Sequence, residues 1–187
     1  GQRVAVLDAG VIQQCAAHET LTTSPASLSV AKAVVGTDLT LVPGVLLRGP
    51  DATEFAESAP ASKSAAPAGW RLPLPQAAAL DPGPREGRHV TLAIPAHAWH
   101  DPAARGDHAR VQIHVEASEW AGNSRRLIAR TPAGTPILVR RLIHEPPIEP
   151  GSATLSFSWR DAWLFAADGA RIPTTDAAGE ARPPARP

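Results

Sequence analysis

Between Leu39 and Ala166 the chain breaks into short runs of residues that suit an extended backbone. They are Leu39 to Leu47, Trp70 to Leu74, His89 to Ile94, Val111 to Trp120, Arg125 to Arg130, Pro136 to Ile143, Ala153 to Trp159 and Ala162 to Ala166. The 20 Pro and 14 Gly spread along the sequence leave little room for long helices. Short strands joined by tight turns bury their apolar sides by curling into a barrel or stacking as a sandwich, and closure removes exposed edges. The expected class is therefore mainly β, with one or two small OB-like barrels over about Leu39 to Ile172.

The first 36 residues read differently. Val4-Ala5-Val6-Leu7, Asp8-Ala9-Gly10 and Val11-Ile12-Gln13-Gln14 have the form of a hairpin, with Gly to take positive φ. His18 to Thr23 suits one helical turn. Ser24-Pro25 reads as a helix start, because Ser caps and Pro is tolerated in the first turn, and the helix should run to Val35 and stop at Gly36. Asp51 to Gly69 is rich in Ala, Ser, Pro, Glu and Lys and is expected to be a mobile loop. Thr174 to Pro187 reads as a disordered tail. The expected division is 1–36, 37–173 and 174–187.

A hydrophobic content of 43% is enough for a packed core, and the 18 Lys and Arg balance the 18 Asp and Glu. With no net field, nothing draws the chain to nucleic acid or to an anionic membrane. The single Cys15 has no partner for an internal disulfide, which favours a reducing compartment. No apolar run is long enough to span a bilayer, and the amino terminus lacks a signal-peptide layout. The sequence holds no Met and opens directly on a strand, so a piece of a longer polypeptide is expected.

Arg3-Val4-Ala5-Val6-Leu7-Asp8-Ala9-Gly10-Val11-Ile12-Gln13-Gln14 resembles the segment just after the switch-histidine strand of ABC ATPases. Ser24 to Gly36 is similar to the helix that follows in that family. Leu41-Val42-Pro43-Gly44-Val45 looks like the start of the regulatory domain called TOBE, found in importer ATPases for sugars, polyamines, ferric iron and sulfate. Gly87 to Ile94, Val115 to Asn123 and Leu155 to Ile172 resemble later segments of the same domain, in the same order. The resemblance implies the carboxy-terminal part of the ATP-binding subunit of a bacterial importer. It also implies a homodimer, contact with membrane permease subunits through the nucleotide-binding domain, a possible small-molecule effector, and a cytoplasmic location at the inner face of the cell membrane. ATP and Mg belong to the full-length parent. This chain has no glycine-rich phosphate loop and no Mg-positioning carboxylate after an apolar strand, so no cofactor and no catalytic residue are expected within it. Where the family has Arg-Pro-Glu-His, this chain has Pro95-Ala96-His97-Ala98, so no arginine contact carries over to that loop.

Three sets of side chains are candidates for a site. Arg125, Arg126, Arg140 and Arg141 form two adjacent pairs on strand runs, suited to bidentate grip of an anion such as phosphate or sulfate. The competing reading has one member of each pair merely solvated. His97, His100 and His108, with Asp101 and Asp107 nearby, have the ligand types for zinc with an open position, set against loop histidines that are simply hydrated. Trp99, Trp120, Trp159 and Trp163 with Phe157 and Phe165 suggest either an aromatic sugar platform or core and interface packing. Alternation in Leu155-Ser156-Phe157-Ser158-Trp159 favours the core. No nucleophile elbow surrounds any Ser, and Cys15 has no activating partner in sequence. The alternatives to the importer module are a free-standing β-sandwich that binds carbohydrate or another small ligand, and a His-dependent metalloenzyme.

Overall fold

A computed structural model of the chain describes residues 2–49, 52–58, 69–75, 87–102 and 108–173. The hairpin is present: β1 (Arg3–Asp8) pairs antiparallel with β2 (Val11–Ala17), and the two-residue turn has Ala9 at φ 47° and Gly10 at φ 78°. Both turn residues have positive φ, the combination that matches the twist of the strands. A register shift after Val6 leaves Gln13 extra and turns Gln14 inward, where it is buried. Its amide then substitutes for a backbone: Nε2 donates to Ser24 O at 3.1 Å and Oε1 accepts from Ala26 N at 2.8 Å.

The helical turn is α1 (His18–Thr23), and α2 covers Leu28–Val35 and ends at Gly36. Its start is later than the sequence suggests. Ser27, not Ser24, is the cap, accepting from Val30 N at 3.4 Å, because Ser24 and Ala26 are held in a bent linker by Gln14. α2 buries Val30 against Val6 and Leu21, and Ala31 against Ala93, Trp163 and Phe165.

The rest is β. A six-stranded antiparallel sheet has the order β13-β12-β6-β3-β4-β5, made of β3 (Leu39–Arg48), β4 (Thr53–Glu57), β5 (Arg71–Pro73), β6 (Arg88–Pro95), β12 (Trp163–Ala166) and β13 (Arg171–Ile172). A five-stranded sheet has the order β10-β9-β8-β11-β7, made of β7 (Trp99–His100), β8 (His108–Ala121), β9 (Ser124–Arg130), β10 (Pro136–Leu142) and β11 (Gly151–Ser158). The mainly β class expected from the sequence is found, with curled sheets. The five-stranded sheet curls until its edge strand β10 meets the turn that leads into its other edge, β7: Arg140 N donates to Ala96 O at 2.7 Å, and Leu138 N to Thr40 Oγ1 at 3.1 Å. These bonds occupy backbone groups that an open edge would leave bare.

One core fills the space between the sheets. It joins Val42, Leu46, Phe55, Val90, Leu92 and Ile94 of one sheet to Val111, Ile113, Val115, Leu127, Val139, Leu155 and Phe157 of the other. Alternation along β8 places Val111, Ile113 and Val115 inward and Arg110, Gln112 and His114 outward. Trp99 is stacked edge-on between Trp70 and Phe157, with ring centroids 6.1 and 5.6 Å away.

Part of the mobile loop expected over Asp51 to Gly69 is a strand. Thr53–Glu57 pairs with β3 on one side and β5 on the other, and buries Phe55, Ala56 and Glu57. A single Phe in a small-residue stretch is enough to anchor it, since Gly44 on β3 leaves room for the ring: a Cβ there would collide with Phe55. Residues 59–68 of that stretch, and the tail 174–187, lie outside the described residues.

Candidate functional site

The four arginines sit where β9 and β10 run side by side. Arg126 lies opposite Arg140 and Arg125 opposite Arg141. Residues directly opposite share a face, so the two pairs point to opposite sides of the sheet. Leu127, Ala129, Ile137 and Val139 are the buried neighbours at spacing two from Arg125 and Arg141, which puts those two on the core side. β8 extends both rows, with Trp120 opposite Arg125 and Glu119 opposite Arg126.

The core-side row is already satisfied. Arg141 is 2% exposed and forms a fork on Asp101, with Nη1 to Oδ1 at 2.7 Å and Nη2 to Oδ2 at 3.2 Å; Glu145 Oε2 lies 3.6 Å from Nε, and Nη2 also reaches Pro146 O. A buried guanidinium flanked by two carboxylates has its charge already balanced, and although its Nε has no hydrogen-bond partner, that atom is out of reach of an anion in solvent. Arg125 stacks on Trp120, its Cζ 4.5 Å from the ring centroid. In the outer row Arg126 contacts Asp38 Oδ1 at 3.4 Å, while Arg140 is exposed and makes no ion pair among the described residues. The expected four-arginine grip is thus divided. Arg141 is a structural cation, Arg125 a stacking one, and only Arg126 and Arg140 share a solvent face, where an anion would compete with Asp38.

The zinc reading is not supported by the placement of its ligands. His97 is exposed in the turn between β6 and β7, whereas His100 and His108 meet edge to face with ring centroids 5.9 Å apart. Among the described residues no three His, Cys, Asp or Glu side chains gather as a metal requires. The physical reason is local: His97 follows Ala96, whose carbonyl is taken by β10, so the turn faces water while its neighbours Ala96 and Ala98 are buried. Asp107 lies outside the described residues.

The aromatic platform also dissolves. Trp99, Trp159, Trp163, Phe157 and Phe165 are all buried, and Trp163 Nε1 donates to Thr23 O at 3.2 Å. Trp120 alone of the expected set is on the surface, 61% exposed.

One polar centre was invisible in the sequence. Glu57 is 1% exposed and accepts from Thr131 Oγ1 at 2.5 Å, Thr135 Oγ1 at 2.6 Å and Trp70 N at 3.0 Å. It ties the end of β4 to the β9–β10 turn, one sheet to the other. A side chain at Gly69 would strike it. Nothing in the Glu-bearing, Ala-rich stretch around residue 57 signals such a role, because its partners are 74 and 78 residues away.

No family model matches the chain, and no curated protein matches it. Among solved structures it is similar to a cytoplasmic molybdate-binding protein, ModG, in a form with molybdate bound. That likeness has a TM-score of 0.44 and 13% identity, and covers 68% of this chain and 94% of the other. No helix among the described residues is long and apolar enough to cross a membrane.

Proposed function

We propose that this chain is the carboxy-terminal part of the ATP-binding subunit of an ABC importer: the last hairpin and helix of its nucleotide-binding domain, followed by a regulatory TOBE-type β domain. The supporting observation is that each segment bearing the family resemblance coincides with an element. Arg3 to Gln14 spans the β1–β2 hairpin, Leu28–Val35 is a helix, Leu41 to Val45 lies in β3, Gly87 to Ile94 leads through β6, and Leu155 to Ile172 runs from β11 to β13. The hairpin adds a second support. Val4, Leu7, Val11 and Ile12 are exposed on it, an apolar surface that suits a strand pair continuing a neighbouring sheet.

In this reading the module forms a two-fold dimer that sets the spacing of the ATPase domains, and the permease is reached through the nucleotide-binding domain. Phosphoryl transfer needs backbone amides and a lysine around the phosphates, a metal held by carboxylate and hydroxyl, and an oriented water. Those parts belong to the parent. The test is to express the complete reading frame that encodes this chain and compare it with residues 1–187. The parent is expected to hydrolyse Mg·ATP, and the chain alone to give no saturable heat with Mg·ATP and no phosphate above a blank. A parent without ATPase activity, or stoichiometric ATP binding by the chain alone, overturns the reading.

A further inference from the structure

β8 is paired on both sides for only part of its length. β11 accompanies it from His108 to Val115, where Gly151 faces Val115, while β9 accompanies it from His114 to Ala121. Beyond Val115 the strand has one neighbour among the described residues. The ladder to β9 is offset at Glu116, an extra residue that adds twist and carries the β8–β9 ribbon past the barrel. Residues 116 and 118–121 are exposed, and among the described residues no backbone hydrogen bond outside the β9 ladder reaches residues 116–120.

The turn fixes which groups are bare. Gly122 and Asn123 form a two-residue loop with Gly122 at φ 63°, and the closing pair of such a hairpin, Ala121 and Ser124, exchanges both backbone bonds. Alternation then directs the N–H and C=O of Trp120 and Ser118 away from β9, to the open edge.

The strands at the ends of the two sheets are blunted. β10 is capped by Ala96 and Thr40, β7 and β13 are two residues long, and the three-residue β5 ends in Pro73. The hairpin edges belong to the surface discussed above. Residues 117–121, past the bulge at Glu116, hold neither Lys nor Pro. Of the two carboxylates in 116–121, Glu116 is bonded to Arg130 Nε at 2.7 Å, while Glu119 lies opposite Arg126 on β9 and keeps its charge.

We propose that residues 116–121 of β8 pair antiparallel with the same residues of a second copy, about a two-fold axis at Ser118. A strand edge is self-complementary under such an axis, so the contact closes after two copies. Charge disfavours the adjacent register. Centred on Ser118, each Glu119 faces the other copy's Ala117 and each Ser118 exchanges two hydrogen bonds with its counterpart. Centred one residue on, Glu119 would face Glu119, a like-charge opposition that disfavours pairing. Trp120, backed by Arg125, then lies diagonal to the other copy's Ser118, a small residue that leaves room for the indole. This pairing rests on the two-fold association proposed above, but not on the ATPase activity of the parent.

The test is hydrogen exchange of residues 1–187 across a dilution series, with mass measured by sedimentation in parallel. At about 200 micromolar the chain is expected to be dimeric, and the Ser118 and Trp120 amides to exchange roughly tenfold or more slowly than at low micromolar concentration. Ser118→Pro removes an outward N–H without touching the β9 ladder and should give a monomer with an unchanged near-ultraviolet spectrum. A monomer at the high concentration, or a dimer in which both amides exchange as fast as in dilute protein, overturns the inference. ATP hydrolysis by the parent, read separately, is untouched by either result.

Discussion

The β1–β2 hairpin and β11 carry the same kind of sequence, apolar residues at close spacing, and meet opposite fates. In β11 both Leu155 and Phe157 are fully buried, whereas in the hairpin Val6 is the one buried apolar residue and Leu7, Val11 and Ile12 lie open. Periodicity reports which residues share a face. Whether the face is covered depends on what else the chain brings to it, and β11 has the opposing sheet while the hairpin has only two short helices.

The contrast can be broken most sharply at Phe157. Its ring meets Trp99 and Trp159 edge-on, so Phe157→Ala should cost about 3–5 kcal/mol by denaturant unfolding, through lost burial and the cavity left behind. A cost below about 1 kcal/mol would mean the shared core relaxes around the gap. Next is Glu57→Ala, which strips the acceptor from two buried threonine hydroxyls and an amide and should cost about 2–3 kcal/mol. Glu57→Gln, which keeps the shape and one carbonyl, should recover part of that loss. The smallest effect belongs to the hairpin: Ile12→Ser in the chain alone should stay within about ±0.5 kcal/mol, as for other surface positions. The same substitution in the complete parent should cost clearly more if the hairpin face is covered there, and thermal unfolding of both versions decides it.

Much of the fold was legible because it is written locally. The strand runs from Leu39 to Ala166 all found their elements within a few residues, and Gly36 ended its helix as read. What the sequence hid depends on distant partners. β4 escapes a local reading because its apolar content is one Phe and one Ala, and what makes it a strand is pairing with β3 and β5. Of the candidate site, the arginine spacing was readable, and so was the opposition of the two pairs once β9 and β10 form a hairpin. The neutralisation of Arg141 by Asp101 was not, since 40 residues separate them. The histidines failed for the converse reason. Closeness in sequence placed His97 beside His100, but the intervening turn sends them to different surroundings.

The amide of Gln14 also has a mechanical meaning. A load on the hairpin would travel through its two bonds to Ser24 and Ala26, into a stretch that is itself fastened by Trp163 to Thr23 and by Arg171 to Ser24. Those fastenings lead straight into β12 and β13, and β12 is bonded to β6 at the centre of the six-stranded sheet. The short linker is thus tied by side chains to the hairpin on one side and to the sheet on the other, so a tilt of the hairpin would pull on the sheet rather than be taken up by slack chain.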